Sequence, residues 1–223
     1  MPRIARTVFA GIPHHITQRG NRRGPVFFTD DDRVRYLGWL ASYCRKHQVD
    51  ILAYCLMANH VHLVAVPAQE NSLECALKPL HMRHAQAINR RYGWSGHLWQ
   101  GRFFSSPLDQ AHLVAAVRYV ERNPVRAGIV RRAEAYPWSS AAAHCGLADG
   151  PFRLGSTDWD AAFAGLSDWS AWLRATDEAD AIQRLRRHVQ KNLPCGSEDF
   201  IEGLEAIAGR SLRARPAGRP RKG

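Results

Sequence analysis

What this chain lacks narrows the field before any motif is considered. It has no run approaching the roughly 20 apolar residues that span a bilayer, so no membrane partner is expected. Its N-terminus, Met1-Pro-Arg-Ile-Ala-Arg6, carries positive charge with no apolar stretch behind it, which does not read as a secretory leader. Cysteine is sparse. Cys44, Cys55, Cys75, Cys145 and Cys195 are odd in number, widely spaced and never paired as C-x-x-C. That pattern speaks against a disulfide framework and a thiolate zinc cluster, and leaves most of them as small core residues in a reducing, cytoplasmic setting. Acid is also in short supply: 31 Lys+Arg against 20 Asp+Glu leaves +11, with a pI near 10.0. Such a surplus points to a polyanionic partner, of which nucleic acid is the commonest.

What is present is the balance of a folded protein. Hydrophobic residues make up 45% and charged residues 23% of 223, enough for one good-sized domain, or one domain with a small appendage. Residues 13–18 read as a short strand, followed by the polar loop Arg19-Gly-Asn-Arg-Arg-Gly24. From Asp30 to His47, Val34, Leu37, Leu40, Ala41 and Cys44 recur at helical spacing behind three aspartates placed where a helix N-terminus favours acid. Val49 to Met57 is a mostly apolar strand; a tight turn at Ala58-Asn59 leads into a second strand, His60 to Val66. Ser72 to Arg91 is helical, with Ser72 as the expected N-cap. Leu98 to Leu108 is the fourth strand candidate, and Asp109 to Asn123 a helix with Leu113, Ala116, Val117 and Val120 inward, ended by Pro124.

Strand, helix, strand, strand, helix, strand is the ferredoxin-like split βαβ order, an α+β fold with an antiparallel sheet and helices on one face. The other face is expected to be open to a long substrate. Beyond about residue 135 the texture changes. The reading is a catalytic domain over 1–140, a small helical region over 141–209, and a basic tail over 210–223, expected to order only on a polyanion.

Chemistry concentrates at two places. Alternation along His60-Val-His-Leu-Val-Ala-Val66 puts His60, His62 and Val64 on one face and Val61, Leu63 and Ala65 on the other. Two neutral imidazoles side by side are a ready divalent-metal site, although an H-x-H pair alone reads equally well as two surface histidines. On the helix ending at Asn123, Tyr119 and Asn123 are four residues apart, about 40° round the axis, and so share a face. One helix thus offers a phenol and an amide together, or else Tyr119 packs at its edge and Asn123 caps it.

Four ungapped blocks carry a resemblance that decides among these. Tyr54-Cys-Leu-Met-Ala-Asn-His-Val-His-Leu63 resembles the His-hydrophobic-His signature of the HUH endonucleases, in the form used by REP-associated tyrosine transposases and the related single-tyrosine insertion-sequence transposases. Gly96-His-Leu-Trp-Gln-Gly-Arg-Phe103, Arg118-Tyr-Val-Glu-Arg-Asn-Pro-Val-Arg-Ala-Gly128 and Gly11-Ile-Pro-His-His-Ile-Thr-Gln-Arg-Gly-Asn-Arg-Arg23 are similar to further blocks of that family, in the same order. The one departure, Ala58 where the family more often has proline, touches turn rigidity rather than chemistry.

The resemblance implies a metal-dependent endonuclease and strand transferase acting on single-stranded or hairpin DNA of repeated elements. It makes His60 and His62 metal ligands, Tyr119 the nucleophile that forms a 5′-phosphotyrosine, and Asn123 the third ligand. An amide oxygen suits Mg2+ or Mn2+. With one nucleophile per chain, the protein works as a monomer in sequential turnovers or as a homodimer. Arg19, Arg22 and Arg23, flanked by Gly20 and Gly24, together with Arg102, Arg122 and Arg126, are the expected phosphate contacts. Gly218-Arg-Pro-Arg-Lys222 is similar to the core of minor-groove AT-hook segments. Two alternatives remain at this point. One is a hydrolase in which His60 and His62 activate water; the other is a DNA-hairpin-binding module without cleavage activity.

Overall fold

A computed structural model describes residues 7–155 and 159–214. Among them, β1 (His14–Arg19), α1 (Asp30–Lys46), β2 (Val49–Met57), β3 (His60–Pro67), α2 (Ser72–Tyr92) and β4 (Phe104–Pro107) follow in the anticipated order. Then come α3 (Gln110–Glu121), α4 (Asn123–Arg126), α5 (Ala141–His144), α6 (Trp159–Ala162), α7 (Trp169–Arg174), α8 (Ala179–Lys191) and α9 (Glu198–Ala208). The strands lie in the order β2-β3-β1-β4, every pair antiparallel, which is the ferredoxin-like arrangement.

Local chemistry explains where the elements start. Thr29 caps α1 through a capping box: its side chain accepts from the Asp32 amide, and Asp32 accepts from the Thr29 amide. For α2 the N-cap is Asn71 rather than Ser72, whose hydroxyl instead accepts from the Gln69 amide one turn earlier. The fourth strand is shorter than expected. Trp99 turns inward, donating its indole N–H to the His81 carbonyl at 2.9 Å, and bridges to Gly20; regular pairing resumes only at Phe104.

Helices α1 and α2 cover one sheet face, burying Val61, Leu63 and Ala65 with Tyr36, Leu40, Leu77 and Leu80 as the alternation requires. The second face is not open as expected. There α3 packs Leu113, Ala116, Val117 and Val120 against Ala53, Cys55 and Val64, joined by Leu185 of α8. The apolar stripe of α3 needs a partner, and this half of the sheet is the nearest apolar surface. The sheet is therefore covered on both sides, and what stays accessible is a cavity where β1 and β3 emerge beyond α3.

The C-terminal region is helical and continuous with the rest. Leu193 accepts from Ser106 at 2.6 Å, Cys195 exchanges backbone bonds with Pro107 and Asp109, and residues 192–195 thereby line the β4 edge. Leu212 of the expected tail is buried with Phe9 and Leu204, and Arg213 pairs with Glu198, Glu202 and Glu205. Residues 215–223, including the Gly218-Arg-Pro motif, lie outside the described residues. No helix among the described residues is long and apolar enough to cross a membrane.

Candidate active site

Cross-strand register assembles the site. Arg19 of β1 lies opposite His60 of β3, Thr17 opposite His62, and His15 opposite Val64. Directly paired residues share a face, so β1 and β3 place five polar side chains beside one another on the α3 side of the sheet. The His60 and His62 rings lie 5.0 Å apart at 83°. Each has one nitrogen engaged from behind: His60 Nδ1 meets Asn59 Oδ1 at 2.6 Å, and His62 Nδ1 meets His15 Nε2 at 2.9 Å. The second nitrogen of each imidazole is left for a ligand, and the rear contacts fix the ring orientations.

Burial sets their charge. Desolvation, with Arg19 nearby, lowers His60 to about 4. Desolvation and Arg126 lower His15 to about 3. His62 is held well below the ordinary imidazole range, first by desolvation and then by the neighbouring His15, His60, Arg126 and Arg19. At neutral pH all three rings are uncharged, the form that donates a lone pair to a cation.

Tyr119 arrives from α3. It is 5% exposed, with its ring 5.4 Å from that of His62 and 5.6 Å from that of His15, both edge-on. The Arg126 guanidinium carbon lies 4.2 Å from the ring centroid, and Arg126 also donates to the Tyr119 carbonyl. Arg186 of α8 donates from Nε to the phenolic oxygen at 3.2 Å. α3 ends at Glu121, and Pro124 sits in the first turn of α4, whose first residue is Asn123. Asn123 is buried, and its side-chain nitrogen has no hydrogen-bond partner.

These groups surround one cavity of about 730 Å³, lined by Thr17, Arg19, Arg23, His60, His62, Tyr119, Asn123, Arg126 and Arg186 among others. The unpartnered Asn123 Nδ2 is a donor that suits a phosphate oxygen, while the Asn123 amide oxygen and the two neutral imidazoles offer lone pairs that suit a cation. Among the described residues, no three His, Cys, Asp or Glu side chains converge on one point. A cation here would therefore take two imidazoles and the Asn123 amide rather than a carboxylate cage.

The residues expected from sequence divide by position. His60, His62, Tyr119 and Asn123 come together, as do Arg19, Arg23 and Arg126. Arg22 is exposed on the loop Gly20–Gly24 just outside. That loop holds Arg22 and Arg23 at φ +52° and +61°, and it closes only because Gly20 lacks a Cβ, which would stand 2.1 Å from the Gly24 carbonyl oxygen. Arg122 faces away, held at 2.9 Å by Asp177 and donating to the Leu173 carbonyl. Arg102 lines a separate groove against α2 rather than this cavity. Trp99 and Phe103 are core residues, whereas Phe104 lines the cavity. Neither His15, placed by the β1–β3 register, nor Arg186, 67 positions from Tyr119, carries a local sequence signal that would bring it to the site.

The chain is similar to known proteins in sequence and in fold. The family described as "Transposase IS200 like" matches residues 8–123, about half of the chain. A Haemophilus influenzae protein described as a REP-associated tyrosine transposase is 26% identical over 141 residues, 52% of this chain and 79% of that one. A solved structure of a REP-associated tyrosine transposase bound to a REP hairpin superposes with a TM-score of 0.55 at 20% identity, covering 72% of this chain and 96% of that one.

Proposed function

The chain belongs to the IS200-like transposase family, and from that premise we propose that it cuts and rejoins single-stranded DNA at hairpin-flanked repeats, with Tyr119 as nucleophile and a divalent cation as cofactor. The observation that carries this reading is the convergence of one phenol, two neutral imidazoles and an unpartnered amide on one arginine-lined cavity. The REP hairpin bound by the similar solved protein supports a hairpin as the substrate class.

His60, His62 and Asn123 would hold Mg2+ or Mn2+, the Asn123 amide oxygen being the hard donor that such cations prefer; the ion would polarise a phosphate and offset its added charge. The protein's own groups do the rest. Arg19, Arg23 and Arg126 bind the phosphodiester oxygens and orient them. The walls formed by β1, β3 and α3 limit the solvent that could compete with Tyr119 as nucleophile. Tyr119 Oη attacks phosphorus, the bond to the 3′-oxygen breaks, and that oxygen takes up a proton as the phenol loses one. The product is a 5′-phosphotyrosine and a free 3′-hydroxyl. The covalent link retains the phosphodiester, so a second 3′-hydroxyl can reverse the step and join strands without a nucleotide cofactor.

Incubating wild type and Tyr119→Phe with labelled hairpin oligonucleotides and Mn2+ on denaturing gels tests this. A slow-migrating adduct is expected for wild type, absent in Tyr119→Phe and with EDTA. Cleavage that persists in Tyr119→Phe without an adduct would instead assign the cut to water activated at His60 and His62.

A further inference from the structure

Helix α8 lies outside residues 8–123 that define the family, yet it reaches the nucleophile. Its buried residues Leu185 and Val189 dock it on the α3 side of the sheet, and between them Arg186 turns into the cavity. There its Nε–H donates to Tyr119 Oη at 3.2 Å, with the guanidinium carbon 5.6 Å from the ring centroid.

The other arginines near Tyr119 share one acidic partner. Arg118, Arg122 and Arg126 all reach Asp177, at 3.6, 2.9 and 3.3 Å. Arg186 has no ion-pair partner among the described residues, although it is placed beside Arg126 and faces His60, His62 and Arg19 across the cavity. A cation held next to another cation, with a neutral phenol as its partner, is disfavoured until negative charge arrives. Charge arrives there in two forms during the reaction: on the phosphate, and on the phenolic oxygen as its proton leaves.

We propose that Arg186 is a catalytic residue supplied by the C-terminal region. It holds Tyr119 Oη in line for attack and carries the negative charge of that oxygen while the O–P bond forms and, in the reverse step, while it breaks. The inference rests on Tyr119 being the nucleophile. In the forward direction the phenolic O–H and the 3′ P–O bond are lost, and the Tyr119 O–P and 3′ O–H bonds are made. In the reverse direction Tyr119 Oη is the leaving group, so the same guanidinium serves both strand cutting and strand joining. Docking of α8 does not require it, because Leu185 and Ile182 pack that helix into the α3 core and Val189 is buried as well.

The test measures single-turnover adduct formation by the full-length protein at saturating hairpin DNA with Mn2+, for wild type, Tyr119→Phe, Arg186→Ala and Arg186→Lys. Loss of one donor to a developing oxyanion predicts a rate about 100-fold lower for Arg186→Ala, with partial recovery in Arg186→Lys. Ethylguanidinium at millimolar concentration is expected to restore the Arg186→Ala rate saturably, and rejoining of a trapped adduct to a 3′-hydroxyl is expected to slow in parallel. A wild-type adduct rate in Arg186→Ala would overturn the proposal. So would a slow, folded, DNA-saturated variant that guanidinium does not rescue, since that assigns Arg186 to bracing α8. Absence of an adduct in wild type itself would fail the nucleophile reading first and remove the ground for this one.

Discussion

Three imidazoles at the centre of the site are kept neutral by burial, and that has a consequence for stability. His15, lowered to about 3, His60, lowered to about 4, and His62, lowered further than the ordinary range allows, all bind protons less readily in the folded chain than in the unfolded one. As pH falls through about 6.5 the unfolded chain takes up protons that the fold refuses. Stability is therefore complete above that pH and is lost progressively toward pH 4. At pH 5 His15 and His60 each cost about 2 kcal/mol. Urea midpoints of the metal-free protein are expected to fall between pH 7.5 and 5.0, less steeply in His15→Gln than in wild type; identical slopes would show that His15 is not held neutral. Among these residues, His60 and His62 were legible because a strand alternates strictly, and Tyr119 and Asn123 because four helical positions nearly close a turn. His15 was harder to place: its role depends on the β1–β3 register, which no local pattern states. Arg186 could not be placed at all, since only the tertiary packing of α8 brings it to Tyr119.

Docking of α3 is set by its apolar stripe. Burying Leu113, Val117 and Val120 contributes about 1.5–3 kcal/mol each. On the flank of the same helix away from Tyr119, Glu121 is fully buried and accepts from Ser140 Oγ at 2.6 Å, from Trp169 Nε1 at 2.8 Å and contacts His144 Nδ1 at 2.5 Å. His144 and Trp169 in turn stack with Trp159, and Phe163 and Trp172 complete the cluster. One carboxylate thus pins two segments of the C-terminal half, α5 with its N-cap and α7, to α3. Glu121→Ala leaves those buried donors without an acceptor at about 1–3 kcal/mol each, so a loss of about 3 kcal/mol or more is expected in urea unfolding. Glu121 points away from the cavity, and adduct formation per folded molecule is expected to hold at temperatures below the lowered melting point. A drop under 1 kcal/mol would show that the cluster is not fastened through Glu121. This fastening was invisible in the sequence, where 141–209 read only as a small helical region. Its aromatic residues announced a core but not what that core was built against. The shortened β4 has a similar cause: an alternating stretch from Leu98 lost its first half to the burial of Trp99 beneath α2.

At the scale of the whole molecule, the split βαβ order could be read from hydropathy because each helix and strand carries its own period. The covering of the second face could not, because it depends on α3 returning over the sheet. That covering converts an expected open platform into a bounded cavity. The cavity draws on β1, β3, β4, α3, α4 and α8, so the C-terminal half contributes to its walls. The net charge of +11 supplies long-range attraction for the DNA on which a transposase acts, while on the proposed reading the few arginines inside the cavity would position one phosphate. The account stands or falls on where DNA becomes attached. After reaction with hairpin DNA and Mn2+, nuclease and trypsin digestion followed by mass spectrometry should find a nucleotide on the peptide Tyr119–Arg122, joined through the tyrosine oxygen. A nucleotide on any other side chain, or cut DNA with no protein-bound nucleotide at all, would contradict it.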